Sequence, residues 1–380
     1  MRLAFCLFKY FPYGGLQRDF IRIAKECKQR GHAIHVYTTR WEGEPESDFH
    51  VHVLNTKAWQ NHARMLGFAK RVKTELQARD YDLVIGFNKM PYLDIYYAAD
   101  VCYQARVREH RNVLYRLLPR YRQHVAFEDA VFAQGKETEI FLISSLQQAA
   151  FTQYYRTESK RFHLLPPGID KSRVAPTNAD TIRAQLRKTY QLNDQHKLLL
   201  MVGSGFKTKG VDRAIKGLAA LPADLKAQCR LFVIGQDDPQ RFQALAKKNG
   251  VADLVKFLGG RSDVPRFLLG ADLLIHPSYH ENTGTAILEA LVSGLPVLTV
   301  AACGYAHYVE EAKAGEVVPA PFQQEEFNQT LKKMLLSSDI NLWRQNGLIF
   351  AKQADIFSMP ARAADLIEQI GQKRVSTSRT

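Results

Sequence analysis

Two glutamates eight residues apart flank a short glycine-containing turn in the segment ENTGTAILEA (281–290). The turn follows an apolar, strand-like run and opens a helical pattern, so Glu281 precedes the helix start and Glu289 lies inside the helix. The unpaired backbone N–H groups of a helix start carry about half a positive charge and attract phosphate, and glycine lets the backbone approach a ligand closely. With Gly284 and Thr285 at this position, the segment predicts a phosphate-binding site flanked by two carboxylates.

Two other glycine-containing loops are also predicted to follow a strand and open a helix. KYFPYGGLQRDF contains Gly14 and Gly15, and GSGFKTKGVDRA contains Lys207 and Lys209. The lysine loop and the segment 281–290 follow strands of the same predicted domain, so they could hold one diphosphate from two sides. Neither the Walker A pattern nor the GxGxxG pattern is present. Each loop alone is more often a turn or a solvated helix start, and only their combination indicates function.

Composition and charge restrict the class of protein. The chain has 380 residues, long enough for two domains, and its 46% hydrophobic and 24% charged residues are typical of a folded protein. The five cysteines are scattered without a C-x-x-C pair, which favours a reducing compartment over a disulfide framework or a structural zinc site. No apolar run reaches the roughly eighteen residues of a membrane-spanning helix. The net charge of +14 favours an anionic partner, which could be nucleic acid, a membrane face or a substrate.

Apolar, strand-like runs alternate with helical patterns along the whole chain. The predicted strands lie in LAFCLF, AIHVYTT, FHVHVLN, YDLVIGFN and IFLISS, and then in KLLLMVGSG, CRLFVIGQ, LVKFLGG, DLLIHPS and PVLTV. This alternation predicts parallel sheets covered by helices, with ligands outside the carboxyl ends of the strands. The prolines of LLPPGID (164–170) favour a linker there. We predict an α/β protein with two doubly wound, Rossmann-like domains facing a central cleft, 1–168 and 169–357, and a C-terminal helix within 358–380.

The three loops occur together in one enzyme family. E-NTGTAIL-E, GSGFKTKG and the N-terminal GG loop resemble the retaining GT-B glycosyltransferases of the sucrose-synthase-like family 4, over nearly the whole chain. Within that family, the lipopolysaccharide core heptose (I) alpha-1,3-glucosyltransferases of Gram-negative bacteria are similar in AFCLFKYFPYGGLQRDF, YTTRWEG, GFNKMPYLD, YYAADVCY, LLPPGI, GVDR, VIGQD, GLPVLT and CGYAHY. The resemblance implies transfer of glucose from UDP-glucose to an inner-core heptose of lipopolysaccharide, with retention of configuration, no cofactor and no required metal.

The resemblance also implies roles for individual residues at the donor. The implied donor-binding residues are Gly15, Arg173, Lys209, Arg261, Val264, Glu281, Gly284, Thr285 and Glu289. Glu289 would bind the ribose hydroxyls of UDP, and Glu281 would lie beside the transferred sugar. Lys209, Arg173 and the amides of residues 284 and 285 would hold the diphosphate. Residues 261–264 would help to form the uracil pocket, and Gly15 would approach the donor from the N-terminal domain.

The implied catalytic residues are Glu281, Lys209, Asp19 and Asp100, of which the two aspartates are acceptor-side candidates. The chain has Thr208 beside Lys209 where the best-known relative has an Arg-Lys pair, and Lys207 could supply the missing charge. Retention by double displacement would need a carboxylate nucleophile, for which Glu281 is a formal candidate. We favour front-face substitution, in which the leaving phosphate accepts the proton of the acceptor hydroxyl, although the sequence leaves both open.

A basic segment with interleaved aromatic residues spans 103–132. This composition is typical of segments that bind an anionic membrane surface, although a solvated helix face is the common alternative. The predicted membrane residues are Tyr103, Arg106, Arg108, Arg111, Tyr115, Arg116, Arg120, Tyr121 and Arg122. Pro119 is expected to break or kink any helix there. We therefore expect a cytoplasmic protein that is peripheral on the inner face of the inner membrane.

Other functions remain open at this stage. A retaining GT-B transferase could use another UDP-sugar, such as galactose or N-acetylglucosamine, or another lipid-linked acceptor, because pocket selectivity rests on a few hydroxyl contacts. A non-catalytic GT-B scaffold that only binds membranes is a hypothesis of a different class. Nucleic-acid binding is disfavoured, because no recognised motif is present and the arginines cluster in one segment.

Overall fold

The computed structural model describes residues 1–12, 14–56 and 58–377, and the chain forms two compact units in it. Unit 1 contains Met1–Gly168 together with the described residues from Phe357 onward, and unit 2 contains Ile169–Ile356. The chain therefore leaves unit 1 within the LLPPGID segment and returns to it before the C-terminal helix.

Unit 1 is built on seven parallel strands in the order β3-β2-β1-β4-β5-β6-β7. Its elements before the linker are β1 (Arg2–Cys6), α1 (Gly15–Gln29), β2 (Ala33–Thr38), β3 (Phe49–Val53), α2 (Asn61–Gln77), β4 (Leu83–Gly86), β5 (Ile95–Ala98), α3 (Tyr103–His110), α4 (Pro119–Phe132), β6 (Glu139–Leu142), α5 (Gln148–Tyr155) and β7 (Phe162–Leu164). Pro119 begins α4, where its missing N–H has no helical partner to lose, instead of kinking a longer helix.

Unit 2 is built on six parallel strands in the order β10-β9-β8-β11-β12-β13. Its elements are α6 (Ala179–Thr189), β8 (Lys197–Val202), α7 (Val211–Ala219), α8 (Ala223–Gln228), β9 (Cys229–Ile234), α9 (Gln240–Lys248), β10 (Val255–Phe257), α10 (Val264–Gly270), β11 (Leu273–His276), α11 (Thr285–Val292), β12 (Val297–Val300), α12 (Ala306–Ala312), β13 (Gly315–Val318), α13 (Gln324–Leu336) and α14 (Ile340–Gln353). The chain ends with α15 (Met359–Thr377) in unit 1.

Five short 3-10 helices complete the described secondary structure. They are Val113–Leu117, Ser145–Gln147, Ser159–Arg161, Lys171–Arg173 and Ala252–Leu254.

The two sheets share one winding pattern, in which the strand order reverses beside the first strand. In unit 1 the reversal lies between β1 and β4, and in unit 2 it lies between β8 and β11. The central strands are buried on both faces, which explains why they consist of continuous apolar runs instead of alternating ones. The prediction of an α/β protein with two doubly wound sheets is confirmed. Because ligands bind at such reversals, a binding site is expected at the loops after β8 and β11.

The C-terminal helix packs on the first helix of unit 1. Ala363, Ala364 and Ile367 of α15 belong to the same buried cluster as residues of β1 and α1. Arg30 of α1 also forms ion pairs with Asp365 at 2.7 Å and with Glu368 at 3.2 Å. The apolar contacts, rather than these half-exposed ion pairs, supply most of the stabilisation.

All five cysteines are buried and unpaired, so the chain contains no disulfide bond. Among the described residues, no helix combines the length and the apolar character that crossing a bilayer requires.

Candidate active site

The loops after β8 and β11 are pressed together at the reversal of the unit 2 sheet. Gly210, which caps α7 with a φ of 75°, has no room for a side chain because a Cβ atom would collide with the Pro277 carbonyl. The Tyr279 N–H donates a hydrogen bond of 2.9 Å to the Thr208 carbonyl. The Arg213 guanidinium donates to the carbonyls of Pro277 and Ser278 at 3.1 and 3.0 Å. The two loops therefore form one continuous surface.

Lys209 and Glu281 meet on this surface. The Lys209 ammonium donates to Glu281 Oε2, and the two side chains are 19% and 17% exposed. The Lys209 side chain runs along Gly203, where a Cβ atom would come within 2.8 Å of Lys209 Cε. Gly203 thus leaves room for the lysine to lie across the end of β8 and to reach the glutamate.

Burial and charge act against each other at Glu281. Burial raises the pKa of the Glu281 carboxyl, but the neighbouring His276 and Lys209 more than offset it and hold the pKa at about 2. Glu281 is therefore ionised throughout the neutral pH range.

The start of α11 is held in place by a neighbouring loop. Glu281 N–H donates to the Ala302 carbonyl at 3.1 Å, and Gly304 N–H donates to the Glu281 carbonyl at 3.0 Å. Gly284 adopts a φ of 93° immediately before the helix, which begins at Thr285. This left-handed conformation suits glycine and turns the chain sharply into α11.

Glu289 and Arg173 form a second ion pair in unit 2. Glu289 lies one turn into α11 and is only 7% exposed. Its Oε1 is 3.4 Å from Arg173 Nε, and the Ser293 hydroxyl donates to the Arg173 carbonyl at 3.1 Å. The sequence-predicted residues Lys209 and Glu281, and likewise Arg173 and Glu289, are thus brought together in pairs.

The predicted uracil-pocket residues lie after β10. Arg261 donates two hydrogen bonds to Asp263, at 2.7 and 2.9 Å, and its guanidinium is 4.9 Å from the centroid of the Phe267 ring. The bond from Arg261 lowers the pKa of Asp263. Val264 begins α10. Because β10 is parallel to β9 and β8, residues 261–264 lie at the same sheet edge as the lysine loop.

Lys207 differs from Lys209 in its surroundings. Its side chain is exposed, whereas Lys209 is partly buried against Glu281. To bind a ligand, the exposed side chain of Lys207 would have to become ordered, which costs conformational entropy. The side chain of Lys209 is already ordered by its contact with Glu281, so this cost is smaller for Lys209.

The predicted acceptor-side residues lie in unit 1, as does Gly15, which was predicted to approach the donor. Gly15 begins α1, and a Cβ atom there would meet no atom within 4 Å beyond its chain neighbours and its own helix. Asp19, on the next turn of α1, accepts a hydrogen bond of 2.9 Å from the Tyr97 hydroxyl. Burial raises the pKa of Asp19 to about 6, although Tyr97, Arg22 and Arg18 lower it. Asp100 is exposed two residues beyond the end of β5.

The basic segment consists of α3, the 3-10 helix Val113–Leu117 and α4. Its exposed apolar residues are aliphatic, namely Val113, Leu114, Leu117 and Leu118, with exposures of 69%, 69%, 63% and 46%. Tyr103 was expected at the surface but is only 9% exposed, because its ring packs against His124 and Tyr121. Tyr115 joins this cluster through a hydroxyl contact of 3.2 Å with Tyr103.

The arginines of the segment remain accessible. Arg106, Arg108, Arg111, Arg120 and Arg122 are exposed, and Arg116 is half-buried. Arg106 and Arg111 lie over the rings of Tyr103 and Tyr115, at 5.6 and 5.4 Å from the ring centroids. The aromatic residues therefore hold arginines in place, and the exposed apolar contact surface is made by valine and leucine.

Several site residues escaped sequence reasoning. His276 ends β11 beside Glu281, and its only signal was a polar residue at the end of the apolar run DLLIHPS. Tyr97 holds Asp19 from β5, and Glu128 anchors α3 from the interior of α4. Nothing in the one-dimensional pattern distinguishes these residues from ordinary core positions.

Known proteins match the chain along both halves. The family model described as Glycosyltransferase Family 4 matches residues 13–173, and the model described as Glycosyl transferases group 1 matches residues 182–348. The lipopolysaccharide glucosyltransferase WaaG of Escherichia coli (strain K12) is 46% identical over 97% of this chain and 98% of its own length. The chain belongs to glycosyltransferase family 4. The expected membership of this family is thereby confirmed.

Solved structures agree with this membership. The crystal structure of WaaG, a glycosyltransferase involved in lipopolysaccharide biosynthesis, superposes on this family 4 glycosyltransferase with a TM-score of 0.91, covering 96% of this chain and 99% of that one. Anabaena Alr3699/HepE in complex with UDP-glucose has the same fold, with a TM-score of 0.74 at 19% identity over 97% of this chain and 100% of its own. The expected GT-B fold is confirmed.

Within residues 1–12, 14–56 and 58–377, no three His, Cys, Asp or Glu side chains are grouped so that they could hold a metal ion.

Proposed function

We propose that this enzyme transfers glucose from UDP-glucose to an inner-core heptose of lipopolysaccharide. The observation that carries the proposal is the 46% identity to the lipopolysaccharide glucosyltransferase WaaG across nearly the full length of both chains. The start of α11 and the nearby Lys209, both at the reversal of the unit 2 sheet, support the proposal. A helix start and a lysine are groups that bind the diphosphate of a nucleotide sugar.

In the proposed donor site, each group has a chemical task. Glu289 accepts hydrogen bonds from the ribose hydroxyls of UDP. The amides of Gly284 and Thr285, together with Lys209 and Arg173, hold the diphosphate. Glu281 lies beside the transferred glucose. Residues 261–264 contact the uracil, mostly through their backbone groups.

Charge stabilisation is the main catalytic contribution in this proposal. When the bond between glucose and phosphate breaks, negative charge grows on the departing UDP. A cation and a helix start already fixed beside that charge stabilise the transition state more than the ground state, because they need no reorganisation. The groups that would bind the diphosphate are therefore also the groups that accelerate the reaction, and no divalent cation is required.

The environment of Glu281 favours front-face substitution over double displacement. A carboxylate nucleophile must give up its own stabilising partners as it attacks the anomeric carbon. Glu281 is held by Lys209 and has a pKa of about 2, so its electron pairs are strongly stabilised where they are. We assign to Glu281 the orientation of the sugar, and to the leaving phosphate the removal of the acceptor proton.

Asp19 and Asp100 are the proposed acceptor-side carboxylates of unit 1. Asp19 is the better supported of the two, since Tyr97 fixes its orientation and burial raises its pKa to about 6. A carboxylate with these properties can hold a sugar hydroxyl and exchange a proton near neutral pH.

We propose that the basic segment attaches the enzyme to the inner face of the inner membrane, where a lipid-linked acceptor is available. The exposed arginines suit anionic head groups, and the exposed valine and leucines suit the boundary with the acyl chains. Each basic residue near such a surface contributes roughly 1 kcal/mol.

The function is tested by measuring UDP release from UDP-glucose with heptose-terminated lipopolysaccharide as acceptor, with and without a chelator. We expect glucose transfer that persists under chelation, with UDP-galactose and UDP-N-acetylglucosamine as poorer donors. Preference for another UDP-sugar would overturn the donor assignment, and activity that returns only with magnesium or manganese would overturn metal independence. Vesicle binding without any turnover would instead support a non-catalytic scaffold.

A further inference from the structure

His276 places a buried imidazole behind the donor site. It is the last residue of β11 and is 1% exposed. Neither ring nitrogen has a hydrogen-bond partner among the described residues. Buried polar groups are almost always hydrogen-bonded, so an imidazole of this kind requires an explanation.

One carboxylate oxygen of Glu281 faces two potential cations. His276 Nε2 is 3.6 Å from Glu281 Oε2, which is within ion-pair range but too long for a hydrogen bond. The same Oε2 accepts the hydrogen bond of Lys209. Lys209 therefore occupies the position closest to the carboxylate, and His276 stands next to it.

The other groups around His276 are uncharged or weakly acidic. From β12, the Thr299 hydroxyl donates to the His276 carbonyl at 3.1 Å. From the loop after β12, Cys303 Sγ is 3.9 Å from the same carbonyl. Burial lowers the pKa of His276, but Cys303 and Glu281 raise it above its ordinary value. Glu281, Lys209 and Cys303 are thus the titratable groups that face the imidazole.

Lys209 cannot serve Glu281 and a diphosphate equally well. When its ammonium turns to the phosphates, Glu281 loses the partner that compensates its charge. A buried carboxylate left without a partner is strongly destabilised, and this penalty would weaken donor binding.

We propose that His276 is a positioning residue that takes over the Glu281 carboxylate when Lys209 binds the donor diphosphate. A shift of less than about 1 Å brings Nε2 to the distance of a charge-assisted hydrogen bond. Glu281 then stays ionised and oriented toward the sugar, and Lys209 is released at little cost. The inference rests on the proposed function, because it assumes that a diphosphate binds at Lys209.

The first test compares the affinities of UDP and uridine in His276→Leu, measured by titration calorimetry. We expect UDP to bind about tenfold more weakly than in the unaltered enzyme, and uridine to bind equally well, because only the diphosphate draws on Lys209. His276→Gln, which keeps a neutral donor, should restore part of the UDP affinity. His196→Leu, an altered histidine at the opposite end of β8, is the matched control and should bind UDP normally. Equal losses for UDP and uridine in His276→Leu would overturn the proposal.

The second test removes the charge that His276 is proposed to compensate. In a Glu281→Gln background, His276→Leu should no longer change the affinity for UDP, because no carboxylate has to be held. A further loss of similar size in that background would assign His276 a purely structural role and overturn the proposal. A loss of stability caused by His276→Leu would be present in both backgrounds, so it would not produce a loss of UDP affinity that disappears with Glu281→Gln.

The third test is the pH dependence of UDP affinity. A protonated His276 holds Glu281 more strongly, so the advantage of the unaltered enzyme over His276→Gln should be present at low pH and lost as the pH rises above the ordinary histidine value of about 6.5. An advantage that is constant from about pH 6 to about pH 9 would count against the imidazolium. UDP release by the unaltered enzyme separates the proposed function from the role of His276. If the unaltered enzyme releases no UDP, the proposed function fails. If it releases UDP and His276→Leu binds UDP with unchanged affinity, only the role of His276 is refuted.

Discussion

At the scale of single residues, two ion pairs organise the proposed donor site of this glycosyltransferase. Lys209 is paired with Glu281, and Arg173 is paired with Glu289. Each pair keeps a cation and an anion in fixed positions. In the proposed mechanism, the nucleotide diphosphate recruits the cation and the hydroxyl groups of its sugars recruit the anion, with little rearrangement.

Replacing Glu289 with Gln should weaken the binding of UDP and of uridine alike. The ribose is common to both ligands, and a hydrogen bond to a charged acceptor is worth about 1.5–3 kcal/mol, so we expect a loss of roughly tenfold or more. Titration calorimetry measures both affinities. The control is Glu325→Gln, an exposed glutamate at the start of α13. An unchanged uridine affinity in Glu289→Gln would contradict the ribose assignment.

Lys209 and Lys207 provide a matched pair for testing charge stabilisation. Lys209→Met should lower kcat by about 100-fold to 1,000-fold, the usual cost of about 2.7–4 kcal/mol for one group that stabilises a developing anion. Lys207→Met should change kcat much less, because that side chain is exposed and not held in place. Steady-state UDP release measures both. Comparable losses in the two variants would mean that Lys207 supplies the charge of the missing arginine.

Asp19 should lower the stability of the folded enzyme at neutral pH while supporting glucose transfer. Its pKa is about 6 in the folded enzyme, above the ordinary value of 3.8, so ionising it opposes folding. That cost is absent below pH 3.8 and grows as the pH rises toward 6, after which it stays constant. Asp19→Asn should therefore raise the thermal midpoint at neutral pH, by about 2 °C or more, and leave it unchanged near pH 4, while glucose transfer falls. A midpoint that rises equally at both pH values would rule out ionisation as the cause.

Only part of the residue-level site could be predicted from the sequence. Glu281, Glu289, Lys209 and Gly284 stand out because they occupy a motif at a strand end. His276 and Tyr97 do not stand out, since each is a polar residue within an apolar run. Tyr97 meets Asp19 from 78 residues away, and such a contact depends on the fold, which local spacing does not reveal.

At the scale of elements, the strands that were predicted are the long apolar runs. β5, β7 and β13 were not predicted as strands, although β12 has a similar length and was predicted. Three or four residues carry too little periodicity to separate a strand from a loop by themselves, and β12 was recognised because it lies within a longer apolar run. The order of the strands was also beyond the sequence, because it is set by pairings between distant segments such as Leu3 with Leu83.

The interior of unit 1 anchors the basic segment through one buried carboxylate. Glu128 of α4 is fully buried and accepts hydrogen bonds from the N–H groups of Tyr103 and Gln104, at 2.7 and 3.0 Å. It also accepts bonds from the Lys89 ammonium at 2.5 Å and from the Tyr155 hydroxyl at 2.6 Å. The start of α3 is thereby fixed to α4, since the orphan amides of a helix start need such an acceptor.

Replacing Glu128 with Ala should destabilise the enzyme strongly. The substitution leaves Lys89 as an uncompensated charge and two helix amides without an acceptor, for which about 3–5 kcal/mol is typical. Urea unfolding followed by circular dichroism measures the loss. The neighbouring Asp129 is exposed, so Asp129→Ala should be nearly neutral. If the two variants unfolded at the same urea concentration, the network around Glu128 would contribute no stability.

At the scale of the whole molecule, the proposed nucleotide-binding and membrane-binding residues lie mainly in different units. The proposed nucleotide-binding residues except Gly15 belong to unit 2, whereas the basic segment and the two acceptor-side aspartates belong to unit 1. Altering the membrane contact should therefore leave nucleotide affinity intact, and this independence is what separates an attachment surface from a structural element.

Two sets of substitutions in the basic segment distinguish its two proposed contributions to membrane binding. Arg116, Arg120 and Arg122 changed together to Glu should weaken binding to anionic vesicles most at low salt, because screening removes the difference at high salt. Leu114→Asn with Leu117→Asn should weaken binding by about tenfold or more at every salt concentration, because lost apolar contact is not screened. Vesicle sedimentation measures both sets.

The control for the leucines is Leu342→Asn with Ile349→Asn on α14, where two apolar side chains are exposed to a similar extent, 54% and 50%. These residues lie in unit 2, so their replacement should leave vesicle binding unchanged. UDP affinity, measured on every variant, should stay constant, because no donor-site residue is altered. If the leucine variant lost UDP affinity and vesicle binding to the same degree, the exposed leucines would be supporting the fold, and the membrane-attachment hypothesis would have to be abandoned for that surface.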